Sequence, residues 1–145
     1  MLIAASAFGL LATSAHAADL VETESPHSVA ETVANFVEAA EGAGATVFAT
    51  VDHAAGARSV SAELPETTVI IFGNPRIGTP VIAAEQRAGL DLPLRVLVWD
   101  DHGRTWIAHE DPQALKERYD VEGADETFKA MEGALRNLVS AATTD

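Results

Sequence analysis

The chain has 145 residues, which is enough for one ordinary domain with its own hydrophobic core. Its net charge of −13 is unevenly distributed, because seven acidic residues and no lysine or arginine precede Arg58. Such an acidic surface repels nucleic acid and anionic membranes, so we exclude both as partners. An anionic ligand would therefore need the five arginines that lie between Arg58 and Arg104.

The first 17 residues have the features of a targeting segment. They carry no charged residue, contain an apolar run and end in Ala15-His16-Ala17, which fits a small-x-small cleavage pattern. We predict a signal peptide cleaved after Ala17, too short to span a bilayer, and an exported, periplasmic domain over residues 18–145. Because the basic residue that opens a signal peptide is missing, we expect Met1 to be an internal start. The alternative is an alanine-rich N-terminus that is buried or disordered.

The strands and helices of the first half of the chain are predicted from the alternation of apolar and polar residues and from helix-capping residues. Residues 19–24 alternate and predict a strand, and Ser28 with Glu31 forms a capping box that opens a helix ending near Gly42. The next strand is predicted over Thr46–Asp52. Its apolar residues are expected to face one way: Val47, Ala49 and Val51.

Residues 53–60 predict a loop or a single helical turn, and the β-branched run 67–72 predicts a buried central strand. Thr79 as N-cap and Pro80 as first helical residue predict a helix that runs to about Ala88.

The last third begins with a predicted hairpin of strands 94–100 and 104–110. Asp111 then caps a short helix to Tyr119, and residues 124–142 form a long amphipathic helix. These elements indicate a two-layer α+β domain in the order β-α-β-β-α-β-β-α, with helices over one face of a mainly antiparallel sheet.

The segment 72–80 is the first candidate site. Gly73 permits close backbone approach, and Asn74 before proline is pushed to an extended conformation, with a bond to Pro75 that can be cis. The segment enters a helix N-terminus, whose free N–H groups favour anions, and Arg76 adds a positive charge. We therefore predict a ligand-binding set that holds a carboxylate or small anion: Asn74, Arg76, Thr79 and Arg58. A well-capped helix with a solvated arginine is the alternative.

His53 is the candidate for proton transfer, because it ends a strand beside a glycine-bearing loop. Asp52 cannot orient it, since neighbouring strand residues point to opposite faces, and we expect Asp52 to cap the following turn. The alternative is a histidine bonded to nearby backbone. The other histidines show no metal-ligand spacing, so we predict no metal site. Trp99 and Trp106 are expected to meet across the hairpin, in the core or near the ligand.

Three phrases carry a resemblance to a known family: Asp52-His53-Ala54-Ala55-Gly56-Ala57, Phe72-Gly73-Asn74-Pro75 with Gly78-Thr79-Pro80, and Asp91-Leu92-Pro93-Leu94 with Trp99-Asp100. Together they resemble the bacterial domain of unknown function 302. The resemblance implies a TATA-box-binding-protein-like fold, with a curved sheet against helices, and a shared site of unknown purpose. It provides no catalytic residues and no cofactor.

Three functional hypotheses remain open at this point. The first is an exported module that binds a small ligand, with anionic ligands among the candidates, at His53, Asn74 and Arg76. The second is a small enzyme without organic cofactor, with His53 as general acid/base and the Gly78-Thr79 helix start holding developing negative charge. The third is an assembly module in which the same loops form a homodimer interface.

Overall fold

A computed structural model describes residues 20–144 of the chain. The predicted signal peptide, residues 1–17, lies outside the described residues. The strands are β1 Leu20–Ser25, β2 Thr46–Asp52, β3 Thr67–Gly73, β4 Leu94–Asp101 and β5 Arg104–Glu110. The helices are α1 Val29–Gly42, α2 His53–Ser59, α3 Pro75–Ala84, α4 Pro112–Arg118 and α5 Asp125–Thr143, with a 3₁₀ helix at Gln86–Leu90.

The five strands form one antiparallel sheet in the order β1-β5-β4-β3-β2. This arrangement confirms the predicted α+β class and the mainly antiparallel sheet. Helix α2 is a seven-residue helix at the position of the predicted loop or turn. It forms there because the Asp52 side chain accepts a hydrogen bond of 2.8 Å from the Ala55 N–H, as expected of a cap.

One face of the sheet packs against α1 and α5 and forms the main core. Side chains alternate along each strand, so every second residue of β3, β4 and β5 points to these helices. Phe36 of α1 meets Phe72 of β3 edge to face, with ring centroids 5.0 Å apart. The fully buried strand residues of this core are Ile70, Val96, Val98 and Ile107, and Leu135 of α5 is 1% exposed.

A second core cluster attaches α3 to the ends of the sheet. Val81 of α3, Leu115 of α4 and Phe128 of α5 are its anchors, each at most 2% exposed. Met131 belongs to this cluster, whereas Leu135, one helical turn further along α5, belongs to the main core. Helix α5 therefore joins the two clusters and holds α3 in place.

The opposite face of the sheet, here called the open face, carries partly exposed apolar side chains. Trp99 and Trp106 are directly paired across β4 and β5, and their rings stack with centroids 6.5 Å apart. Their expected meeting across the hairpin is therefore confirmed. They lie on the side away from α1 and α5, so the expectation that they belong to the core is wrong.

The predicted facing of β2 is also wrong, because a β-bulge interrupts the strand at Phe48. Val47 pairs with Phe72, whereas Ala49 pairs with the adjacent residue Ile71. Since one extra residue exchanges the two faces of a strand, Val47 faces the helices and Ala49 faces the open side. Val51 lies on the open face with Ala49, opposite Val69.

Candidate functional site

Two of the predicted site residues, Asn74 and Thr79, line a pocket of about 290 Å³ at one end of the sheet. It lies between helices α3 and α5, the ends of strands β2, β3 and β4, and the segment before β2. We call it the apolar pocket. Its large side chains are Phe48, Phe72, Ile77, Ile82, Leu92, Leu94, Met131 and Leu138.

The bulge in β2 places an aromatic ring in the wall of this pocket. Phe48 is the extra residue of the bulge, and it is 55% exposed although it is large and apolar. Gly73 lies opposite Phe48, where β3 approaches the Leu92-Pro93 turn closely. A Cβ at position 73 would lie 3.2 Å from the Pro93 Cβ. Glycine therefore suits the close approach of β3 and the Leu92-Pro93 turn, where a Cβ would be in tight contact.

Helix α3 begins five residues earlier than predicted, at Pro75 instead of Pro80. Asn74 is its N-cap, with an extended backbone as expected and a side-chain Oδ1 that accepts a 2.9 Å hydrogen bond from the Arg76 N–H. Thr79 and Pro80 therefore lie inside the helix, and the predicted start at Thr79 is wrong. The Asn74–Pro75 bond is trans, since the cis bond within residues 20–144 precedes Pro93.

The predicted helix end at Ala88 is wrong as well. Helix α3 stops at Ala84 because Glu85 adopts an extended backbone, and its carboxylate accepts hydrogen bonds from both the N–H and the side chain of Arg87. These contacts lower the pKa of Glu85 to about 2. Glu85 in this way caps the following 3₁₀ helix.

The N-terminus of α3 does not offer the free donors that an anion would need. Pro75 has no N–H, the Arg76 N–H is bonded to the Asn74 side chain, and those of Ile77 and Gly78 are both bonded to the Asn74 carbonyl oxygen at 2.9 Å. Asn74 Nδ2 donates to the Gly44 carbonyl at 3.3 Å. The expected anion cradle is therefore a closed cap.

The predicted site residues fall into two groups. Asn74 and Thr79 line the apolar pocket and contribute its polar side chains, whereas Arg76 in the same helix is exposed and does not line it. His53 and Arg58 lie in α2, at the opposite end of the β2–β3 hairpin. Seven residues of strand separate the two ends, a distance of roughly 20 Å.

The predicted cluster of His53, Asn74 and Arg76 is therefore wrong. His53 is exposed, and Arg58 pairs with the Asp52 carboxylate at 3.6 Å on the surface of α2. His53 follows the first strand of the β2–β3 hairpin, and Asn74 follows the second. In an antiparallel hairpin, the segment after the first strand and the segment after the second lie at opposite ends.

Asp91, which lies between the 3₁₀ helix and β4, is the centre of an ion-pair network beside the apolar pocket. Its carboxylate accepts hydrogen bonds from Arg95 at 2.8 Å, from Arg118 at 2.7 Å and from the Tyr119 hydroxyl at 2.8 Å. Arg118 also pairs with Glu110. The network fixes the Leu92-Pro93 wall of the pocket to β4 and α4.

Burial alone would raise the pKa of Asp91, but the hydrogen bonds from Tyr119 and Arg118 and the charges of Arg118 and Arg95 outweigh it. The pKa of Asp91 is therefore lowered. The same contacts raise the pKa of Tyr119, chiefly through its hydrogen bond to the Asp91 carboxylate. Arg118 and Tyr119 lie 27 and 28 residues from Asp91, so no local pattern in the sequence indicated the network.

Among residues 20–144, no group of three or more His, Asp or Glu side chains is arranged to hold a metal ion. Within the same residues, no helix has the length and apolar character needed to cross a membrane.

His109, the buried histidine of β5, has its ring Nδ1 2.9 Å from the Glu110 carbonyl oxygen.

Fold and site together define a small two-layer α+β domain with an apolar pocket at one end of its sheet. The chain belongs to the family described as domain of unknown function DUF302, whose model matches residues 21–138. A solved structure of an uncharacterized conserved DUF302 protein from Bacillus stearothermophilus is similar, with a TM-score of 0.78 and 16% sequence identity. The match covers 85% of this chain and 97% of that one, and at this identity it shows the fold.

Two curated proteins are similar in sequence. The chain is 44% identical over 114 residues to the fluoride-specific ion channel FluC 1 of Brucella suis and to FluC 1 of Brucella abortus. The matches cover 77% of this chain but only 45% and 42% of those proteins. The chain thus spans less than half the length of the curated relatives it matches.

Proposed function

We propose that this domain binds a small, uncharged, largely apolar molecule in the apolar pocket. The observation that carries the proposal is the chemistry of the lining: among the described residues that form it, none has a titratable side chain. Polar side chains come from Asn74 and Thr79 alone, and the Asn74 oxygen is already engaged as the cap of α3.

This chemistry supports binding of a neutral ligand rather than catalysis. A general acid or base must lie within hydrogen-bond reach of the reacting group, and the lining has none to offer. An anion entering the pocket would lose water and find no charge to replace it, which costs several kcal/mol. A neutral ligand with one polar group loses little, because the Thr79 hydroxyl can bond that group.

The volume of the pocket limits the size of the ligand that it can hold. Its volume of about 290 Å³ lies at the lower end of the range of about 300–1,000 Å³ that is usual for small-molecule sites. The aromatic ring of Phe48 and the thioether of Met131 are adaptable apolar contacts. We therefore expect a ligand with two or three rings, or an alkyl chain of comparable volume.

The test is a titration with N-phenyl-1-naphthylamine, a neutral apolar dye whose fluorescence rises when it leaves water. We expect saturable binding of one dye molecule per chain. Ala134 of α5 lines the pocket between Met131 and Leu138, so Ala134→Phe places a ring in the pocket and should weaken binding at least about tenfold.

Ser140→Phe is the matched control, because it adds the same ring to an exposed position of the same helix. It should leave the affinity for the dye unchanged. Equal affinity in the two phenylalanine variants, both shown to be folded by circular dichroism, would place the dye elsewhere and contradict the proposal.

We also propose that the domain acts outside the cytoplasm, which the uncharged segment 1–17 and its Ala15-His16-Ala17 ending support. The check is N-terminal sequencing of the protein from a periplasmic extract. Export predicts a mature chain that begins at Ala18, and an intact segment in the cytoplasmic fraction contradicts it.

The structure bears differently on the enzyme hypothesis and on the self-association hypothesis. The enzyme hypothesis needs His53 beside the start of α3, and these lie at opposite ends of the β2–β3 hairpin. We therefore do not propose catalysis at that pair. Self-association stays a proposal, but the surface that supports it is the open face of the sheet rather than the loops.

A further inference from the structure

We infer that the open face of the sheet is the interface of a homodimer, in which a second copy of this chain covers Leu97, Trp99 and Trp106. The inference is independent of the apolar pocket, which lies at the end of the sheet. It rests on the composition, the size and the charge arrangement of the face.

The face has an apolar centre and a charged rim. Register places a continuous block of apolar side chains across four strands: Val51 of β2, Val69 and Ile71 of β3, Leu97 and Trp99 of β4, Trp106 and Ala108 of β5. Charged residues surround it, and one rim arginine, Arg104, lies 5.0 Å above the Trp106 ring and pairs with Glu24 at 2.6 Å. Aromatic centres with charged rims are the anatomy of protein interfaces.

The area is sufficient for a specific dimer. Five strands spaced about 4.8 Å apart, with about seven residues of roughly 3.3 Å each, outline a face of about 550 Å². Two copies would bury about 1,100 Å² of such a face, which exceeds the roughly 1,000 Å² that a specific interface needs. The two sheets would pack as an aligned sandwich with about 10 Å between them.

The charges favour one arrangement of the two copies. The β1 edge is acidic on this face, with Glu22 and Glu24, whereas β2 at the other edge presents the uncharged residues Ala49 and Val51. A two-fold axis parallel to the strands places the β1 edge of one copy over the β2 edge of the other, so the acidic edges do not face each other. Strand β4 is central, so Leu97 meets its own copy near the axis, as does Arg95 on the same face, whose charge is paired with Asp91 at 2.8 Å.

Sedimentation velocity of the full chain over a range of concentrations tests the inference. We expect a monomer–dimer equilibrium that Leu97→Arg shifts at least about tenfold toward monomer, because the variant places like charges at the axis. Leu90→Arg is the matched control: Leu90 is 84% exposed in the 3₁₀ helix, and its substitution should leave the equilibrium unchanged. A monomer at every concentration, or a dimer indifferent to Leu97→Arg, overturns the inference.

Tryptophan fluorescence of the unmodified chain provides a second readout if Leu97→Arg does not fold. The chain has two tryptophans, and both lie on the open face. Acrylamide quenching should decrease as protein concentration rises through the dimer range. Quenching that is weak and independent of concentration in a monomer would mean that residues 1–19 of the same chain cover the face, and would overturn the dimer.

Discussion

Two glycines line the apolar pocket, and an added side chain would meet different surroundings at each. Gly73 sits where β3 approaches Pro93, and an added Cβ would be 3.2 Å from the Pro93 Cβ. Gly78 lies inside α3, and an added Cβ would meet nothing within 4 Å. A side chain would therefore be in tight contact at position 73 and has open space at position 78.

Gly78→Ala should raise the free energy of unfolding by about 0.5–1 kcal/mol, because alanine is a better helix former than glycine. Gly73→Ala should lower it, since the new methyl group would lie only 3.2 Å from the Pro93 Cβ. Urea denaturation of both variants measures the two changes. Destabilisation by Gly78→Ala, or stability unaffected by Gly73→Ala, would contradict the described packing.

Asp91 stabilises the fold through its charge, so its contribution depends on pH. Its pKa is lowered in the folded state, which means that the stabilisation is present above the unfolded pKa of about 4 and is lost as pH falls through the lowered folded value. Asp91→Asn should therefore cost about 1–3 kcal/mol at pH 7 and progressively less below about pH 4.

Asp101→Asn is the control for Asp91→Asn, because its side chain is 56% exposed at the tip of the β4–β5 hairpin. Chemical denaturation of both variants from pH 3 to pH 7 makes the comparison. A pH-independent loss in Asp91→Asn would show that its charge is not what holds the Leu92-Pro93 wall.

Sequence predicted side-chain caps better than it predicted contacts between distant residues. The Ser28–Glu31 capping box and the Asp52 cap are as expected, because each depends on residues within three positions of one another. The network at Asp91 joins residues 27 and 28 positions apart. Such contacts are fixed by tertiary packing, which a local pattern does not encode.

At the scale of elements, helix α3 is the structure that builds the pocket, and its start depends on Asn74. The side chain of Asn74 caps the helix through Oδ1 and connects it through Nδ2 to the Gly44 carbonyl oxygen. Asn74 and Thr79 are each followed by proline in the sequence, and the cap was predicted at Thr79. Asn74 is the cap, and Pro80 is accommodated inside the helix.

Asn74→Ala should lower the free energy of unfolding by about 1 kcal/mol, the usual cost of losing an N-cap. Asn74→Asp should retain most of the stability, because aspartate also caps well, although it cannot donate to Gly44. Thermal or urea denaturation distinguishes the two variants. An Asn74→Ala variant as stable as the unmodified chain would mean that α3 starts at another residue.

Strand β2 shows why an element can be located while its faces are not. The alternation over Thr46–Asp52 gave its bounds, but the bulge at Phe48 exchanges the faces on either side of it. Nothing in the sequence before Phe48 differs from an ordinary strand. The bulge places Phe48 against the pocket, while Thr50 pairs with Ile70 on the helix side.

At the scale of the whole molecule, the antiparallel topology separates His53 from Asn74 and Arg76, which were predicted to form one site. The hairpin of β2 and β3 puts His53 at one end of the sheet and the apolar pocket at the other. The fold class was predictable because it follows from the number and order of elements and from the family resemblance. The site was only partly predictable: Asn74 and Thr79 line the pocket, whereas its apolar walls come from separate segments, 43–48, 72–94 and 131–138.

His53→Ala should change neither the stability of the fold nor the binding of the naphthylamine dye. The histidine is exposed and lies roughly 20 Å from the start of α3. Dye titration and urea denaturation of this variant provide the check. Weakened dye binding in a folded His53→Ala protein would indicate a site at α2 instead of the apolar pocket.

The central claim, that a neutral ligand occupies the apolar pocket, is tested most directly by methyl NMR of the methionines. The chain has two methionines, and Met131, which lines the pocket at 2% exposure, is the one that a mature chain beginning at Ala18 keeps. With ¹³C-methyl methionine, addition of the dye should shift the Met131 signal in a saturable way and give intermolecular contacts between its methyl group and the dye. Saturable dye binding with an unmoved Met131 signal would contradict the claim.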